Sequence, residues 1–107
     1  MARGTDRPNP VRFAKALADD TRQEIMAVCC CHWRSVGEIV ERIGVSQPTV
    51  SHHLAVLREA GLVNVRPEGK QTFYSINQDR VAFCCGQLLQ VFAPESEANE
   101  ALTAASS

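Results

Sequence analysis

Two blocks of cysteines are the residues of this chain whose type and spacing are best suited to chemistry. Cys29, Cys30 and Cys31 are consecutive, and Cys84 and Cys85 form the second block. Thiolate sulfur is a soft ligand that binds thiophilic ions in preference to hard ones. Five thiols without another obvious ligand cluster therefore predict a site for a thiophilic metal or metalloid. We favour As(III), as arsenite, with antimonite, Cd(II), Pb(II) and Hg(II) as further candidates.

Helix geometry limits which of these thiols can bind one ion. Successive residues on a helix point about 100° apart, so Cys29, Cys30 and Cys31 cannot face one point unless the helix ends there. Cys29 continues an apolar stripe, which leaves it open between packing and ligation, whereas Cys30 and Cys31 are freer to bind. Antiparallel packing of the second and last helices would bring the two blocks together. A site of three or more sulfurs would follow.

Two other roles for the thiols stay open. Vicinal thiols on two helices also suit a redox or persulfide switch, and free cysteine can simply pack as a small hydrophobic side chain. Adjacent cysteines form a disulfide only through a strained ring, so a disulfide-stapled scaffold is not expected.

The N-terminus has no apolar run of a secretory signal, and no stretch approaches a membrane span. These features predict a cytoplasmic protein with reduced thiols and no membrane partner.

The charge of the chain limits how it binds polyanions. Among the 107 residues there are 11 Lys and Arg against 12 Asp and Glu, which gives a net charge of −1 and argues against indiscriminate nucleic-acid binding. Residues 94–107 contain Glu95, Glu97 and Glu100 but no basic residue, so the rest of the chain has 11 basic and 9 acidic side chains. That balance allows a few phosphate contacts per subunit, and a dimer would double them.

Residues 44–63 have the pattern of a recognition helix that enters the major groove. Ser46 can cap the helix and Pro48 suits its first turn. Val50, Leu54 and Leu57 recur at the spacing of one apolar face. The side chains near the N-terminus are small or polar, as base contacts require. The predicted DNA contacts of this helix are Ser46, Gln47, Thr49, Ser51 and His52.

Three further helices are predicted before this one. The first covers Pro10–Leu17, and Asp19 caps a second helix whose apolar stripe ends near Trp33. A third helix opens with an S-x-x-E capping box at Ser35 and runs through Ile43.

A β-hairpin and a last helix follow the recognition helix. Residues 62–65 and 72–76 are rich in strand formers, and residues 67–69 supply the turn. Arg66, Lys70 and Gln71 lie near the predicted tip, where they are candidates for contacts with DNA. Asn77 can cap the last helix, and Pro94 ends it. We expect a flexible arm over residues 1–8, a domain over 9–93 and a disordered acidic tail over 94–107.

These segments closely resemble the ArsR/SmtB family of bacterial transcriptional repressors. The resemblance rests on the stretches FAKALADDTRQEIM, SVGEIVERIGVSQPTVSHHLAVLREAGLV and VRPEGKQTFYSI. The family's L-x-D-x-T-R opening corresponds to residues 17–22, and its S-x-x-S-x-H-L core to residues 49–54 with Ser46 ahead. The fold class implied is mainly α (α+β), a winged helix-turn-helix in the order α-α-α-α-β-β-α.

The resemblance also implies partners and a mode of action. Family members form homodimers through their first and last helices, bind an inverted repeat of double-stranded operator DNA, and leave it when an inducer binds.

Two metal sites known in this family have no counterpart in this sequence. The C-x-C before the third helix is replaced by residues 34–39 without cysteine, and no histidine follows His53. No catalytic motif, phosphate loop or protein substrate is indicated, so the sequence predicts a repressor and not an enzyme.

Overall fold

A computed structural model describes residues 10–106, with side chains through residue 101. The arm predicted over residues 1–8 lies outside this part. The described residues form six helices and three strands. Their bounds are α1 Pro10–Leu17, α2 Asp20–Cys29, β1 Arg34–Ser35, α3 Val36–Ile43, α4 Gln47–Glu59, β2 Val63–Glu68, β3 Gln71–Ile76, α5 Gln78–Phe92 and α6 Glu97–Ser106. The predicted winged helix-turn-helix class is confirmed.

Side-chain caps set the beginnings of the helices. Asp19 accepts a hydrogen bond from the Arg22 backbone N–H at 3.0 Å, and Asn77 accepts one from the Arg80 N–H at 3.1 Å. The predicted capping box of α3 is present, because Ser35 and Glu38 each bond the backbone N–H of the other. Such caps satisfy N–H groups that have no partner within a helix. These helix starts were therefore readable from the sequence.

The core lies between α1 to α4, the sheet and the inner side of α5. Its fully buried side chains are apolar: Ile25, Ile39, Val50, Leu54, Leu57 and Leu62, together with Cys29 and Cys84. Two glycines end the helices of the helix-turn-helix in left-handed conformation, Gly44 at φ 81° and Gly61 at φ 74°. A Cβ at Gly61 would also collide with the Arg80 guanidinium.

The sheet has three antiparallel strands in the order β1-β3-β2. Strand β1 was not predicted, because two residues carry no readable periodicity. It forms because Arg34 and Ser35 pair with Tyr74 and Phe73 of β3. This pairing connects the end of the α2–α3 connection directly to the hairpin.

The predicted hairpin turn at residues 67–69 is wrong by two positions. Pro67 pairs with Thr72 and Glu68 pairs with Gln71, so both belong to β2. The turn consists of Gly69 and Lys70, with Gly69 at φ 63°. A two-residue hairpin favours positive φ at its first position, where glycine has no steric cost. Proline is tolerated at such a strand position away from the sheet centre.

Within the acidic segment for which we predicted disorder, residues 97–106 form helix α6. The Ser96 hydroxyl accepts a bond from the Asn99 N–H at 3.1 Å and donates to the Ala93 carbonyl at 2.8 Å. Glu97 and Glu100 lie in the first turn, where the helix dipole favours negative charge. The acidic composition that suggested disorder thus supports a capped helix, which packs against α5.

The predicted end of α5 before Pro94 is confirmed, with Ala93 as its C-cap. None of the helices formed by residues 10–106 is both long enough and apolar enough to cross a membrane.

Candidate functional site

The outer face of α4 presents the polar side chains predicted to contact DNA. Gln47, Thr49, Ser51 and His52 are all exposed. The Ser46 hydroxyl accepts a bond from the Thr49 N–H at 3.4 Å and lies 2.9 Å from the Thr49 hydroxyl. The opposite face is buried, as the apolar spacing predicted. One face of α4 packs on the domain, and its first turn is polar and exposed. A helix with these two features is suited to reading base edges in a DNA groove.

The Arg22 side chain holds α4 against the rest of the domain. Its Nη1 lies 3.1 Å from His53 Nδ1, while Nε and Nη2 donate to the Ala16 and Lys15 carbonyls at 2.8 and 3.2 Å. A guanidinium can only donate, so His53 Nδ1 is the acceptor and its proton is on Nε2. His53 Nε2 lies 3.9 Å from the Asp19 carboxylate. His53 is therefore a packing residue, whereas the neighbouring His52 is exposed, with its ring centre 5.6 Å from that of His53.

Asp19 is an ionised member of this cluster. The backbone hydrogen bond from Arg22 holds the pKa of the Asp19 carboxyl below its usual value, and the positive charge of the Arg22 guanidinium adds a smaller lowering. The carboxylate that caps α2 therefore stays negatively charged at neutral pH, 3.9 Å from His53 of α4.

The wing, which is the hairpin of strands β2 and β3, carries a basic side chain that packs against two aromatic rings. The Arg66 guanidinium lies 4.4 Å from the centre of the Trp33 ring and 5.8 Å from that of Phe73. Its Nε is 3.8 Å from the Glu68 carboxylate. Cation–π contact of this kind orients an arginine without removing its charge. The exposed Lys70 lies at the turn itself.

A groove of about 390 Å³ separates the wing from the start of the helix-turn-helix helices. Gln47 lies on one side, and Lys70 and Gln71 lie on the other. The structure therefore brings predicted contacts from α4 and the wing to the same groove. The assignment of all eight residues to DNA stays a prediction.

Two of the five cysteines are part of the core. Cys29 is 0% and Cys84 1% exposed. Burial raises the pKa of the Cys29 thiol to about 11, which the nearby positive charge of Arg34 offsets only in part. A thiol that stays protonated is a poor metal ligand, because the thiolate is the binding form. Cys29, left open between packing and ligation, is a packing residue in this structure.

Cys30 and Cys31 form an exposed pair where α2 ends. Their sulfurs lie 3.2 Å apart, and Cys31 has a left-handed φ of 71°, the one such non-glycine residue in the described chain. The Gln78 side-chain amide at the start of α5 donates to the Cys31 sulfur at 3.8 Å. The contact with Cys31 raises the pKa of the Cys30 thiol. Left-handed backbone is costly for a side chain with a Cβ, so the surrounding structure must enforce it.

The predicted site of three or more sulfurs does not form within the described chain. Residues 10–101 contain no group of three cysteine, histidine or carboxylate side chains placed to hold one ion. The end of α2 does meet the start of α5, through Cys31 and Gln78. Cys84, however, is six residues further along α5, about 9 Å at the rise of an α-helix. Cys84 turns into the core, and Cys85 is exposed.

An apolar surface remains uncovered on α1 and α5. Phe83 and Val91 lie two turns apart on α5 and are 53% and 68% exposed. Between them the buried Gln87 side-chain oxygen has no hydrogen-bond partner within the described part of the chain. Val11 on α1 and Phe92 are 64% and 79% exposed. Phe13, also on α1, is buried in the core.

Three side chains that organise these sites were not identified from the sequence. Arg22 ties α4 to α1, Trp33 holds Arg66, and Gln78 meets Cys31. The position of Trp33 two residues after the cysteine block, in a chain with one tryptophan, was the available signal. The contacts of Arg22 with His53 and of Gln78 with Cys31 join residues far apart in the sequence, so no local pattern indicated them.

Comparison with known proteins agrees with this architecture. The family model for the bacterial regulatory protein, arsR family, matches residues 19–65. A probable mercury resistance operon repressor from Streptomyces lividans is 44% identical over 71 residues, which cover 66% of this chain and 57% of the relative. A biofilm growth-associated repressor from Agrobacterium fabrum is 40% identical over 82 residues, covering 76% of this chain and 70% of the relative. The match thus spans little more than half of the first relative's length.

Solved structures extend the likeness to the full domain. A homodimeric winged helix-turn-helix DNA-binding domain from Mycobacterium bovis, a possible ArsR-family transcriptional regulator, has 33% identity and a TM-score of 0.65. The match covers 91% of this chain and 94% of that one. These relatives are transcriptional regulators and not enzymes, as the sequence predicted. The chain belongs to the ArsR family of bacterial regulatory proteins.

Proposed function

We propose that this protein is a homodimeric transcriptional repressor that binds double-stranded operator DNA and releases it on binding a thiophilic metal or metalloid. The observation that carries the DNA-binding part is the exposed polar first turn of α4 beside a basic wing. We assign base or phosphate contacts to the α4 residues and supporting contacts to the wing. The site of action is the cytoplasm.

The uncovered apolar stripe supports the homodimer. Phe83 and Val91 on α5, with Val11 on α1, expose large apolar side chains on a small domain. A second copy related by a two-fold axis would cover them and would place two α4 helices on one face. A two-fold dimer reads two half-sites that mirror each other, which is why we assign an inverted repeat. The homodimeric neighbour from Mycobacterium bovis supports this assembly.

The exposed thiols support the proposal that the inducer is a thiophilic ion. Cys30, Cys31 and Cys85 are accessible to a thiophilic ion, and one relative is named a probable mercury resistance operon repressor. We retain As(III) first, with Cd(II), Pb(II) and Hg(II) as alternatives. Release requires that the inducer bind the DNA-incompetent conformation more tightly than the DNA-bound one.

The DNA assignment is tested with a duplex that the protein selects from a random pool. We expect the selected sequence to be an inverted repeat. Replacing Ser51 or His52 by alanine removes a contact worth about 1–3 kcal/mol and should weaken binding roughly 10- to 100-fold. Anisotropy titrations measure the loss, and thermal unfolding checks that the fold is retained. Glu24→Gln, an exposed change on α2, is the control. Normal DNA binding by both alanine variants would contradict the assignment to the groove.

A thiol-based redox or persulfide repressor is the second candidate, favoured by the 3.2 Å separation of two exposed sulfurs. Operator release is measured with arsenite, cadmium, lead, mercury and an oxidant, in the wild type and in Cys→Ser variants of each block. Release by ions under reducing conditions supports the metal sensor. Release by oxidant alone supports the redox sensor and contradicts the metal sensor.

A further inference from the structure

The vicinal pair Cys30–Cys31 differs from every other thiol of the chain in its surroundings. Both residues are exposed in the connection between α2 and β1, and their sulfurs face each other at 3.2 Å. The neighbouring Cys29 points into the core. Within residues 10–101 no third cysteine, histidine or carboxylate completes the pair. This location therefore offers two sulfurs and not three.

The separation of the two sulfurs decides which centres fit between them. With bonds to sulfur of about 2.3 Å, as for zinc, two nearly perpendicular bonds place the sulfurs roughly 3.3 Å apart, whereas a linear two-coordinate ion places them roughly 4.6 Å apart. The observed 3.2 Å matches the first case. This separation suits one pyramidal centre, whereas a linear ion such as Hg(II) would require the two sulfurs to move apart.

Pyramidal trivalent arsenic takes three substituents. Inorganic arsenite must therefore draw on three thiolates, which this pair cannot supply. An arsenical that already carries one carbon substituent needs two. We propose that Cys30 and Cys31 form a complete two-thiolate site for monosubstituted trivalent arsenicals, and that its occupancy reaches the wing through Trp33. The inference deepens the proposed function and rests on it for its regulatory consequence.

The binding step conserves atoms and oxidation states. The two S–H bonds of Cys30 and Cys31 are replaced by two As–S bonds, and the oxygen of R–As=O leaves as one water molecule with both protons. Arsenic remains trivalent and no oxidant is consumed. The Gln78 amide beside the Cys31 sulfur can stabilise its thiolate as the first bond forms.

Trp33 connects this pair to the DNA-binding wing. It follows Cys31 by two residues, and its ring supports the Arg66 guanidinium at 4.4 Å. The next residue, Arg34, pairs with Tyr74 of β3. A bridge would hold the two sulfurs at the separation they already have, so it would fix the Cys30–Cys31 segment and add the substituent on arsenic two residues before Trp33. The added group would disturb the contact of Trp33 with Arg66, while the anchors of α4 stay unchanged.

Phenylarsine oxide is a suitable probe, used on the full-length protein with an excess of monothiol to keep cysteines reduced. Intact mass measures the adduct, and fluorescence reports on Trp33, since the chain contains one tryptophan. We expect one adduct per chain and a change in Trp33 emission. The second As–S bond is intramolecular, so Cys30→Ser or Cys31→Ser should weaken binding at least about 100-fold. Cys85→Ser, another exposed thiol, is the matched control and should bind normally.

Tight binding by both single serine variants, or loss of the adduct in Cys85→Ser, would overturn the two-thiolate site. A saturated adduct that leaves Trp33 emission unchanged would overturn the route to the wing. Circular dichroism shows whether each variant is folded. The binding measurement contains no DNA, so a normal adduct without operator release counts against the proposed repressor. A missing adduct with normal operator binding counts against this site alone.

Discussion

The recognition helix and the cysteine blocks illustrate two different ways in which neighbouring residues become a site. In α4 the predicted contacts share an exposed turn, and their positions follow from helix periodicity and the Ser46 cap. The cysteines are also neighbours in sequence, yet Cys29 is buried, Cys30 and Cys31 face each other in the solvent, and Cys84 turns into the core. Residues that are close in sequence share one exposed surface in α4, because a single regular helix carries all of them. The cysteine blocks do not, because their residues lie partly in helices and partly in a connection.

The largest expected effect concerns the buried face of α4. Leu54→Ala removes a fully packed side chain and should lower the free energy of unfolding by about 2–5 kcal/mol through lost burial and the cavity that remains. Chemical denaturation measures the change. Ser51→Ala, one turn earlier on the exposed face, should lower it by less than about 0.5 kcal/mol. Equal losses in the two variants would contradict the division of α4 into a buried and an exposed side.

A second, smaller effect distinguishes the buried Cys29 from the exposed thiols. Burial raises its pKa from 9.0 to about 11. Below pH 9 the Cys29 thiol is protonated in both the folded and the unfolded protein. Its burial then contributes fully to the free energy of unfolding. As the pH rises toward 11 the unfolded thiol ionises first, and stability should fall by roughly 2 kcal/mol.

Denaturant titrations between pH 8 and roughly 11 measure this dependence. Lysine and tyrosine ionise in the same range, so the informative quantity is the difference between variants. Cys29→Ala should lack this part of the slope, and Cys85→Ala should keep it. The same slope in Cys29→Ala and wild type would refute the assignment of Cys29 to the core.

The smallest effect tests the backbone that brings Cys30 and Cys31 together. Cys31 has φ 71°, a conformation that costs an L-residue about 1 kcal/mol relative to glycine. Both Cys31→Gly and Cys31→Ala remove the sulfur, and only glycine relieves the left-handed backbone. Cys31→Gly should therefore be about 1 kcal/mol more stable than Cys31→Ala, net of the entropy that glycine loses on folding. Thermal unfolding of the pair measures the difference, and equal stabilities would mean that the strain is absent in solution.

Much of the fold was predictable because its signals are local. The caps at Asp19, Ser35, Ser46 and Asn77 each satisfy backbone groups within three residues, so their helix starts appear in the sequence. Strand β1 did not appear, since its pairing partners in β3 are about forty residues away. The helix α6 was missed because its acidic residues, read as a sign of disorder, stabilise a helix N-terminus once Ser96 caps it.

The candidate sites divide in the same way. The sequence determined the recognition helix, the wing and the number of thiols, because helix and strand periods decide which side chains a single element exposes. Only the tertiary structure decided that Arg22 anchors His53, that Trp33 supports Arg66 and that two sulfurs, not three, converge. Those contacts depend on how separate elements pack and where each helix ends. A helix period specifies neither of these.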